Sequence, residues 1–432
     1  MQNYLPNDAD DALVRACRDV FEKGESLGHD TTRGSSKELL GYSTGMANPL
    51  ARIGIKGRAL NTVGAIARFV WLIAGSDRLE DIAYYESRVR SFSDDELSVP
   101  GSSYGRRLFN SSPGTNQIAG VVAELRRDPD SRRAAAVVWL PEDAVRESRD
   151  IPCTFGLFFH VRGGGLVMTT VMRSNNAVTL LPYNFFEFSM LGEIVATEVG
   201  VPFLRYVHWA ASMHVFDKME SDRAKIADTD APESKTMPSM PPGDAMARVQ
   251  KLAVFEAKIR NAAMAEELAP LAAQAREELG EYWVDLFEVL YAYVLAKHGL
   301  RDEARATCQG LAPHFRSGAE AVIEKVLGPD PVAGDDFGDA LFDLEDLDTL
   351  NRTPTVAESV QRAADSSRDF DWLISILRDE QTADAPVTVD ELLQVRTTLG
   401  HLDFTLAARD GAQSEMTRNA VVEVLRELRR SN

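Results

Sequence analysis

The chain has 432 residues, with 47 Lys or Arg against 66 Asp or Glu, which gives a formal net charge of −19 at pH 7. So acidic a balance excludes a general nucleic-acid coat, because binding along phosphates needs a basic surface. No apolar run reaches the roughly 18 residues of a membrane span, and the N-terminus lacks a signal-peptide pattern, so we expect a cytoplasmic protein without a membrane partner. The length predicts about two or three domains.

Residues 1–32 are predicted to form an N-terminal helical extension. Asp10 or Asp11 is expected to cap its helix, because a short acidic side chain accepts from the free N–H groups at a helix start. Gly24 is the expected end of the helix.

Residues 33–225 mix helical and β-type patterns. A helix is predicted near residues 65–75 and a strand over 134–140. Two β-type segments, 154–161 and 166–172, flank an Arg-Gly-Gly-Gly turn. Glycines take positive φ there without steric cost, so the pair predicts a β-hairpin.

The next segment is predicted to be a helix that ends at Gly200. Its large apolar side chains recur at helical spacing on one face, at Phe185, Phe188, Leu191, Ile194 and Val195. Helices and strands in this order predict an α+β fold, in which helices pack on a mixed sheet, rather than a βαβ series.

A domain linker is predicted at residues 226–245, which are poor in large apolar residues and rich in Pro, Asp and Ser. Residues 246–432 are predicted to form an all-α C-terminal domain, because they carry broad apolar stripes at helical spacing. Within it, residues 328–350 contain seven Asp and one Glu. They lack the spacing of an EF-hand loop, so an acidic linker is favoured over a cation site.

The cysteines and histidines argue against disulfide and metal chemistry. Cys17, Cys153 and Cys308 lie far apart and form neither a C-x-x-C pair nor a disulfide framework. The seven histidines show no ligand spacing such as H-E-x-x-H, which gives a metal-dependent hydrolase little support. We therefore expect no metal.

Five short motifs follow one another between Asp128 and Phe216, in the order DPDSRR, DIPCT, MRSNN, LLPYN and MHVF. Their order and spacing resemble the thymidylate synthase family, including its pyrimidine nucleotide hydroxymethylase branch. Weaker likeness upstream, through WLIAGSDRLEDIAYY and SYGRRLF, extends the resemblance over roughly residues 33–220. The resemblance implies a thymidylate synthase-like catalytic domain at 33–225, followed by the helical domain.

The resemblance implies covalent chemistry at a pyrimidine base. C5 of a pyrimidine is a poor nucleophile, and a thiolate that adds to C6 creates an enolate that attacks a one-carbon unit. Cys153 matches the family's nucleophile. Arg173 matches an arginine that neighbours both the thiol and the phosphate, and positive charge nearby favours a thiolate. Taken alone, Cys153 would be interpreted as an inert, buried cysteine.

The resemblance also implies a pyrimidine nucleoside monophosphate as the substrate. Arg132, Arg133, Arg173 and Ser174 match the phosphate-binding residues, with Arg33 as a fifth, and guanidinium forks suit a phosphate. Arg132 and Arg133 would reach in from the partner subunit, which implies a homodimer with shared active sites. The alternative is that these two arginines form ordinary surface ion pairs.

Three further residues match base, sugar and active-site positions. Asn184 matches the amide that reads uracil, because an amide accepts from N3–H and donates to O4. Family members that act on cytosine carry Asp there. His214 matches a sugar-contacting histidine and Tyr104 an active-site tyrosine. Taken alone, Asn184 would be a helix cap and the other two would be structural.

The chain departs from the family where the cofactor, 5,10-methylenetetrahydrofolate, is expected. Trp71 matches a cofactor-site tryptophan, whereas Asn176 stands where an aspartate holds the pterin. Thr154 replaces a histidine after the nucleophile, and Phe216 replaces a tyrosine that binds the sugar. Ribose and deoxyribose therefore both stay open.

A charge reversal marks the family's proton-relay position. Arg68 stands where the family has a glutamate that orders water and moves protons around O4. Glu187 lies one helical turn after Asn184, at a position that is usually small in the family. We therefore expect Glu187 to pair with Arg68 and to relocate the carboxylate.

The predicted function is folate-dependent hydroxymethylation at C5 of a pyrimidine nucleotide 5′-monophosphate through a Cys153–C6 adduct. Methylation, as in a thymidylate synthase, is the alternative second step, in which the exocyclic methylene intermediate takes hydride instead of water. An inactive nucleotide-binding or scaffolding homologue is the alternative of another class. Its support is the set of departures at Arg68, Asn176 and Phe216.

Overall fold

The computed structural model describes residues 5–27, 35–55, 59–111, 115–230 and 233–328. These ranges belong to one compact unit, Met1–Val332, and a second unit, Ala333–Asn432, falls outside the described residues. Arg33 and nearly all of the predicted acidic linker 328–350 also lie outside them. Within the described ranges, no helix is both long and apolar enough to cross a membrane.

A mixed sheet forms the scaffold of the described unit. Its strands are β1 (Glu25–Leu27), β2 (Ser36–Met46), β3 (Ala135–Val137), β4 (Thr154–Arg162), β5 (Gly165–Met172), β6 (Asn175–Asn176) and β7 (Phe203–Phe216). The order across the sheet is β1-β2-β7-β5-β4-β3, and β6 pairs with β7. The strands β5 and β6 run parallel to β7, and the other described pairs are antiparallel. The mixed sheet confirms the predicted α+β class.

The predicted hairpin is confirmed in β4 and β5. Arg162 pairs with Gly165 across a two-residue turn, in which Gly163 and Gly164 have φ of 63° and 85°. Positive φ at both turn residues matches the twist of the strands and is open to glycine without strain. The turn fixes the register along the whole hairpin, down to the pairing of Thr154 with Met172.

The helices pack around this sheet. They are α1 (Ala9–Lys23), α2 (Thr62–Ala74), α3 (Leu79–Ala83), α4 (Tyr104–Phe109), α5 (Gln117–Arg127), α6 (Leu181–Val199), α7 (Glu220–Ala227), α8 (Ala245–Arg260), α9 (Leu268–Leu279), α10 (Glu281–Lys297), α11 (Arg301–Gly310) and α12 (Pro313–Leu327).

The cap of α1 differs from the predicted one. Asp8 is the N-cap, and its carboxylate accepts from the backbone N–H of Asp11 at 2.9 Å. Asp10 instead points inward and accepts from the N–H of Ile55 at 2.9 Å, while the carboxylate of Asp11 binds Arg15. The predicted end at Gly24 is confirmed.

The long helix α6 lies in the buried centre of the fold. The five apolar residues predicted for its inner face are fully buried, and Gly200 ends the helix in the left-handed conformation at φ 85°. Phe186 and Met190 are equally buried, so α6 is covered on more than one side. This helix connects β6 to β7 and provides the crossover that a parallel strand pair requires.

The helices after residue 244 pack on α2 and on the chain that follows it. Contacts with α2 come from α8, α10 and α12. The hydroxyl of Thr62 donates to the carbonyl oxygen of Phe315 at 3.0 Å, and that of Tyr293 donates to the carbonyl oxygen of Tyr84 at 3.1 Å. The additional helices thereby support the helix that carries Arg68.

The predicted linker at 226–245 lies against the core along part of its length. Lys235 exchanges backbone hydrogen bonds of 3.3 and 2.8 Å with Ile53. The side chains of Met237 and Met240 are 2% and 6% exposed. Two buried methionines therefore anchor a segment that is otherwise polar.

Candidate active site

Cys153 differs from the two other cysteines in its surroundings. It directly precedes β4 and is partly exposed, whereas Cys17 and Cys308 are buried. Burial raises the pKa of the Cys17 thiol to about 12 and that of Cys308 to about 11, so both stay protonated at neutral pH. Cys153 is therefore the thiol with access to a ligand. The interpretation as an inert, buried cysteine applies to Cys17 and Cys308.

Arg173 holds the chain that carries Cys153. Its backbone N–H donates to the carbonyl oxygen of Cys153 at 2.8 Å. The guanidinium donates from Nε to the carbonyl oxygen of Pro152 at 2.8 Å and from Nη2 to that of Ile151 at 3.0 Å. It also lies over the ring of Trp139, with 5.8 Å between Cζ and the ring centroid. A positive charge is thus fixed against the two residues that precede the thiol.

Ser174, which directly follows Arg173, lies close to His214. The Ser174 Oγ is 3.4 Å from Nδ1 of His214. His214 pairs with Asn176 in the sheet, and its ring packs edge-on against Phe216 at 5.0 Å between centroids. The structure therefore brings the predicted phosphate and sugar residues Ser174 and His214 together with Arg173.

Arg132 and Arg133 do not join this group within one chain. They precede β3 and are followed by Ala134, whose carbonyl oxygen accepts from the backbone N–H of Phe159 on β4. Phe159 is six residues along β4 from Cys153, or about 20 Å at roughly 3.3 Å per residue. Both arginines are exposed, and ion pairs with either are absent among the described residues. The charge of Arg133 still lowers the pKa of Glu124, after the hydrogen bonds of Ser131 and Arg127, so the interpretation of the two arginines as ordinary surface residues stays an alternative.

Asn184 lies one turn inside α6. Its backbone N–H donates to the carbonyl oxygen of Leu180, which is the N-cap residue, so the interpretation of Asn184 as a cap is wrong. The side-chain oxygen of Asn184 accepts from Nδ2 of Asn175 at 2.6 Å. An amide oxygen has two lone pairs, so one is left for a further donor. The bond to Asn175 fixes the plane of an amide that could pair with a base.

Tyr104 reaches the site because two helices cross closely. A Cβ on Gly105 would lie 1.8 Å from the carbonyl oxygen of Leu72, so only glycine permits this approach of α4 to α2. The ring of Tyr104 stacks on Phe188 of α6 at 6.1 Å. Burial, followed by the charge of Cys153, raises the pKa of Tyr104 well above its usual range. Tyr104 thus lies between α2, α6 and the thiol as a neutral phenol.

Arg68 and Glu187 come together, with a third residue that sequence reasoning missed. The Nε of Arg68 is 3.9 Å from Oε2 of Glu187, while its Nη1 donates to Oε2 of Glu86 at 3.1 Å. Glu86 directly follows the upstream motif that ends at Tyr85, and no spacing along the chain connects it to Arg68. Only the fold reveals this contact.

Asn176 does not fit the role of a pterin-binding carboxylate. Its side-chain oxygen accepts from the backbone N–H groups of Val178 and Thr179 at 3.0 and 2.8 Å, and its Nδ2 contacts the sulfur of Met219 at 3.6 Å. A pterin edge presents N–H donors, and these need an acceptor that carries charge or is free. The oxygen of Asn176 is already used twice by the backbone.

Trp71 lies in a separate apolar cluster at the end of α2. It is 6% exposed and packs with Leu79, Ile82, Ala83, Val89 and Val99. Its Nε1 is buried without a hydrogen-bond partner among the described residues. The indole of Trp71 thus packs in an apolar cluster. Groups of His, Cys, Asp or Glu arranged to hold a metal ion are absent from the described ranges.

The outer face of the sheet is apolar and exposed. Val137, Phe158 and Trp209 share this face according to the strand register, and they are 44%, 39% and 37% exposed. Phe155, at the bulge of β4, is 49% exposed. A contiguous apolar face of this kind is typical of a protein–protein contact.

Comparison with known proteins places this fold and site in a family. A family model described as thymidylate synthase matches residues 12–258, more than half of the chain. Deoxyuridylate hydroxymethyltransferase of Bacillus phage SP01 is 30% identical over 223 residues, which are 48% of this chain and 57% of the relative. The enzyme of the same name from Pseudomonas phage M6 is 32% identical over 162 residues, 37% of this chain and 46% of the relative.

A thymidylate synthase of Haloferax volcanii is 25% identical over 140 residues, which are 30% of this chain and 41% of the relative. The chain spans about half the length of the curated relatives it matches. The matched range begins within α1 and ends within α8, and it includes the sheet, Cys153 and Arg173. The protein belongs to the thymidylate synthase family.

Proposed function

We propose that this protein transfers a one-carbon unit to C5 of a pyrimidine nucleoside 5′-monophosphate, and that the product is the 5-hydroxymethyl nucleotide. The observation that carries the proposal is the pairing of an accessible thiol, Cys153, with a guanidinium, Arg173, that binds the two carbonyl groups before it. A nucleotide-binding protein has no need for a thiol at this place, whereas covalent activation of C5 requires one.

In the proposed reaction the sulfur of Cys153 adds to C6 of the base. The electrons of the C5–C6 double bond then move towards O4, and C5 becomes nucleophilic. Arg173 and Ser174 bind the phosphate. Asn184 accepts from N3–H and donates to O4, which selects uracil over cytosine.

We propose a homodimer with shared active sites, in which Arg132 and Arg133 of each subunit bind the phosphate in the site of the other. Two observations support the proposal. Both arginines are exposed and lie far along the sheet from the Cys153 of their own chain. The sheet also exposes Phe158 and Trp209 on a face that a second subunit would cover.

The proposed source of the carbon is 5,10-methylenetetrahydrofolate, as the family resemblance implies. Because Asn176 does not offer the pterin a free acceptor, dependence on tetrahydrofolate has to be measured separately from carbon transfer. The same observation favours the second candidate, a homologue that binds the nucleotide without transfer chemistry.

The test is mass spectrometry of UMP, dUMP, CMP and dCMP, each incubated with the protein and formaldehyde, with and without tetrahydrofolate. Cys153→Ala is the variant, and Cys308→Ala is its matched control. A gain of a hydroxymethyl group on one nucleotide that is lost in Cys153→Ala and kept in Cys308→Ala supports the proposal. A gain of a methyl group supports methylation instead. Binding of a nucleotide without any product supports the second candidate.

A further inference from the structure

We propose that Glu187 is the group that moves a proton at O4 of the base, and that Glu86 is a positioning residue that keeps Glu187 available by occupying Arg68. The inference rests on the proposed function, since it concerns the same pyrimidine site. It adds a residue, Glu86, and a division of roles among three charged side chains.

The three side chains form a cluster with one incomplete contact. Arg68 bonds Glu86 at 3.1 Å, but its Nε is 3.9 Å from Glu187, which is too long for a hydrogen bond. The Oε2 of Glu187 and the Nε of Arg68 are both buried without a hydrogen-bond partner among the described residues. A buried carboxylate oxygen without a partner is rare and indicates a functional reason.

Glu193 provides the contrast on the same helix. It is also buried, but its two oxygens are used by the guanidinium of Arg52 and by the backbone N–H of Met240. Of the two buried carboxylates of α6, Glu193 is therefore fully bonded, whereas Oε2 of Glu187 has no hydrogen-bond partner among the described residues. Burial in α6 does not by itself leave a carboxylate unbonded.

The groups around Glu187 come from four elements. Arg68 lies on α2, Glu86 follows α3, Tyr104 lies on α4, and Tyr206 lies on β7, where its hydroxyl is 2.9 Å from Nδ1 of His208. The charge of Glu187 acts on the phenols of Tyr104 and Tyr206, and Cys153 acts on Tyr104. Glu187 and Cys153 therefore both lie close enough to the phenol of Tyr104 for their charges to act on it.

Arg68 cannot itself move the proton. Burial opposes its charge, but the carboxylates of Glu86 and Glu187 outweigh burial and raise the pKa of Arg68 further, so it stays protonated. Burial raises the pKa of Glu187 to about 7, against the lowering influence of Arg68. A carboxyl group that titrates near neutral pH can both give and take a proton.

Glu86 is held firmly in its place. Its backbone N–H bonds the carbonyl oxygen of Ile82 at 2.9 Å, and a Cβ on Gly64 would lie 2.7 Å from its Oε1. The two preceding residues are bound by the additional helices, through Glu256 to the hydroxyl of Tyr85 and through Tyr293 to the carbonyl oxygen of Tyr84. Glu86 therefore holds the guanidinium of Arg68 by Nη1, while its Nε stays 3.9 Å from Glu187.

Glu187 gives one proton to O4 and takes it back before the product leaves. When the sulfur of Cys153 bonds to C6, the electron pair of the C5–C6 bond shifts and O4 takes the proton of the Glu187 carboxyl group. When C5 then forms a bond to an electrophile, the C4–O4 carbonyl is restored and the proton returns from O4 to Glu187. No redox partner is required, and the positive charge of Arg68 stabilises the carboxylate in between.

The test uses the exchange of C5–H of UMP and dUMP in D₂O, which needs only a deuteron as the electrophile at C5. Rates are measured by NMR against pD for the wild type, Glu187→Gln, Glu187→Asp and Glu86→Gln, with Glu193→Gln as the matched buried control. We expect Glu187→Gln to lower the rate on the order of 100-fold or more. The wild-type rate should fall at high pD, where the carboxyl group of Glu187 loses its proton. We expect Glu187→Asp to show the same fall, but with a lower maximum rate.

Glu86→Gln should move that fall to lower pD, because Arg68 would then pair with Glu187 and stabilise its charged form. Unfolding temperatures are measured for each variant, and if Glu187→Gln does not fold, Glu187→Asp decides. The inference would be overturned if a folded Glu187 variant exchanged C5–H at the wild-type rate and with the wild-type pD profile. If Cys153→Ala abolished the exchange in the same experiment, the proposed function would still stand. Absence of exchange in the wild type with bound nucleotide would overturn both.

Discussion

The backbone N–H of Arg173 donates to the carbonyl oxygen of Cys153 at 2.8 Å, across the end of the β4–β5 hairpin. The side chain of Arg173 adds two bonds to the residues directly before Cys153. A single residue thus shapes the loop and fixes a positive charge against it, and the same residue is the proposed phosphate ligand. The candidate site depends on this relationship more than on any other.

Arg173→Lys should weaken nucleotide binding and slow the alkylation of Cys153. A lysine offers one point charge in place of a planar fork, so it cannot bind two carbonyl groups and a phosphate together. The rate at which iodoacetamide alkylates Cys153 at a fixed pH, together with the affinity for UMP and dUMP, measures the effect. Arg162→Lys is the control, because Arg162 also binds backbone carbonyls but lies at the other end of the hairpin. An alkylation rate equal to the wild type would contradict the role of Arg173.

Glu187 predicts a specific dependence of stability on pH. Its pKa is about 7 in the folded chain, against 4.5 for a free side chain, so the unfolded state loses the proton first as pH rises. The free energy of unfolding of the wild type should therefore fall, relative to Glu187→Gln, by up to about 3 kcal/mol between roughly pH 4.5 and 7. Urea unfolding at pH 5 and pH 8 measures it. If the free energies of unfolding of the wild type and Glu187→Gln differed by the same amount at pH 5 and pH 8, Glu187 would be charged at both pH values.

Glu193→Ala should destabilise the fold strongly. It leaves Arg52, which is 0% exposed, without its carboxylate partner. Removal of one member of a buried ion pair costs about 3–5 kcal/mol, because the remaining charge stays buried. Urea unfolding checks the prediction, and Arg52→Met with Glu193→Met together should recover much of the loss. A loss below about 1 kcal/mol for Glu193→Ala would contradict the buried pair.

The proposed sharing of active sites between subunits predicts complementation between inactive chains. Cys153→Ala lacks the nucleophile, and the double variant Arg132→Ala with Arg133→Ala lacks the arginines proposed for the opposite site. In a mixture, half of the dimers are mixed, and each mixed dimer has one complete site, so about a quarter of the wild-type activity should return. Refolded mixtures measure this. No recovery would contradict the exchange of arginines between subunits.

The exposed sheet face predicts the contact that makes this dimer. Trp209→Asp places a charge on the apolar face and should shift the protein towards monomer, which sedimentation velocity detects. Activity should fall with the dimer fraction, while Cys153 stays accessible. The exposed Val145, which is 83% exposed and lies outside the sheet, gives the control Val145→Asp. An unchanged oligomeric state for Trp209→Asp would contradict the proposed interface.

Local patterns predicted much of the fold. The Gly163–Gly164 turn and the apolar spacing of α6 each depend on residues a few positions apart, and the structure confirms both. The N-cap of α1 is harder to predict from the sequence, because Asp8, Asp10 and Asp11 all carry the same short carboxylate. Contacts with Ile55 and Arg15, which only the fold supplies, decide among them.

The sequence predicts only part of the candidate site, because some contacts within the site join residues that only the fold brings together. Arg173 and Cys153 are found by motif, and their bond follows from the pairing of two adjacent strands. The contact of Glu86 with Arg68 joins different elements 18 residues apart, without a periodic signal to reveal it. The distance of Arg132 from Cys153 depends on the length of β4, which the motifs alone do not give.

The most direct measurement of the central claim is mass spectrometry of the protein after incubation with 5-fluoro-dUMP or 5-fluoro-UMP, formaldehyde and tetrahydrofolate. Fluorine at C5 cannot leave as a proton does, so the adduct at C6 should persist. We expect Cys153 to gain the mass of the nucleotide together with the one-carbon unit and the tetrahydrofolate that stay bonded to its C5, while Cys17 and Cys308 stay unmodified. A nucleotide that binds but leaves Cys153 unmodified would contradict covalent catalysis at this thiol.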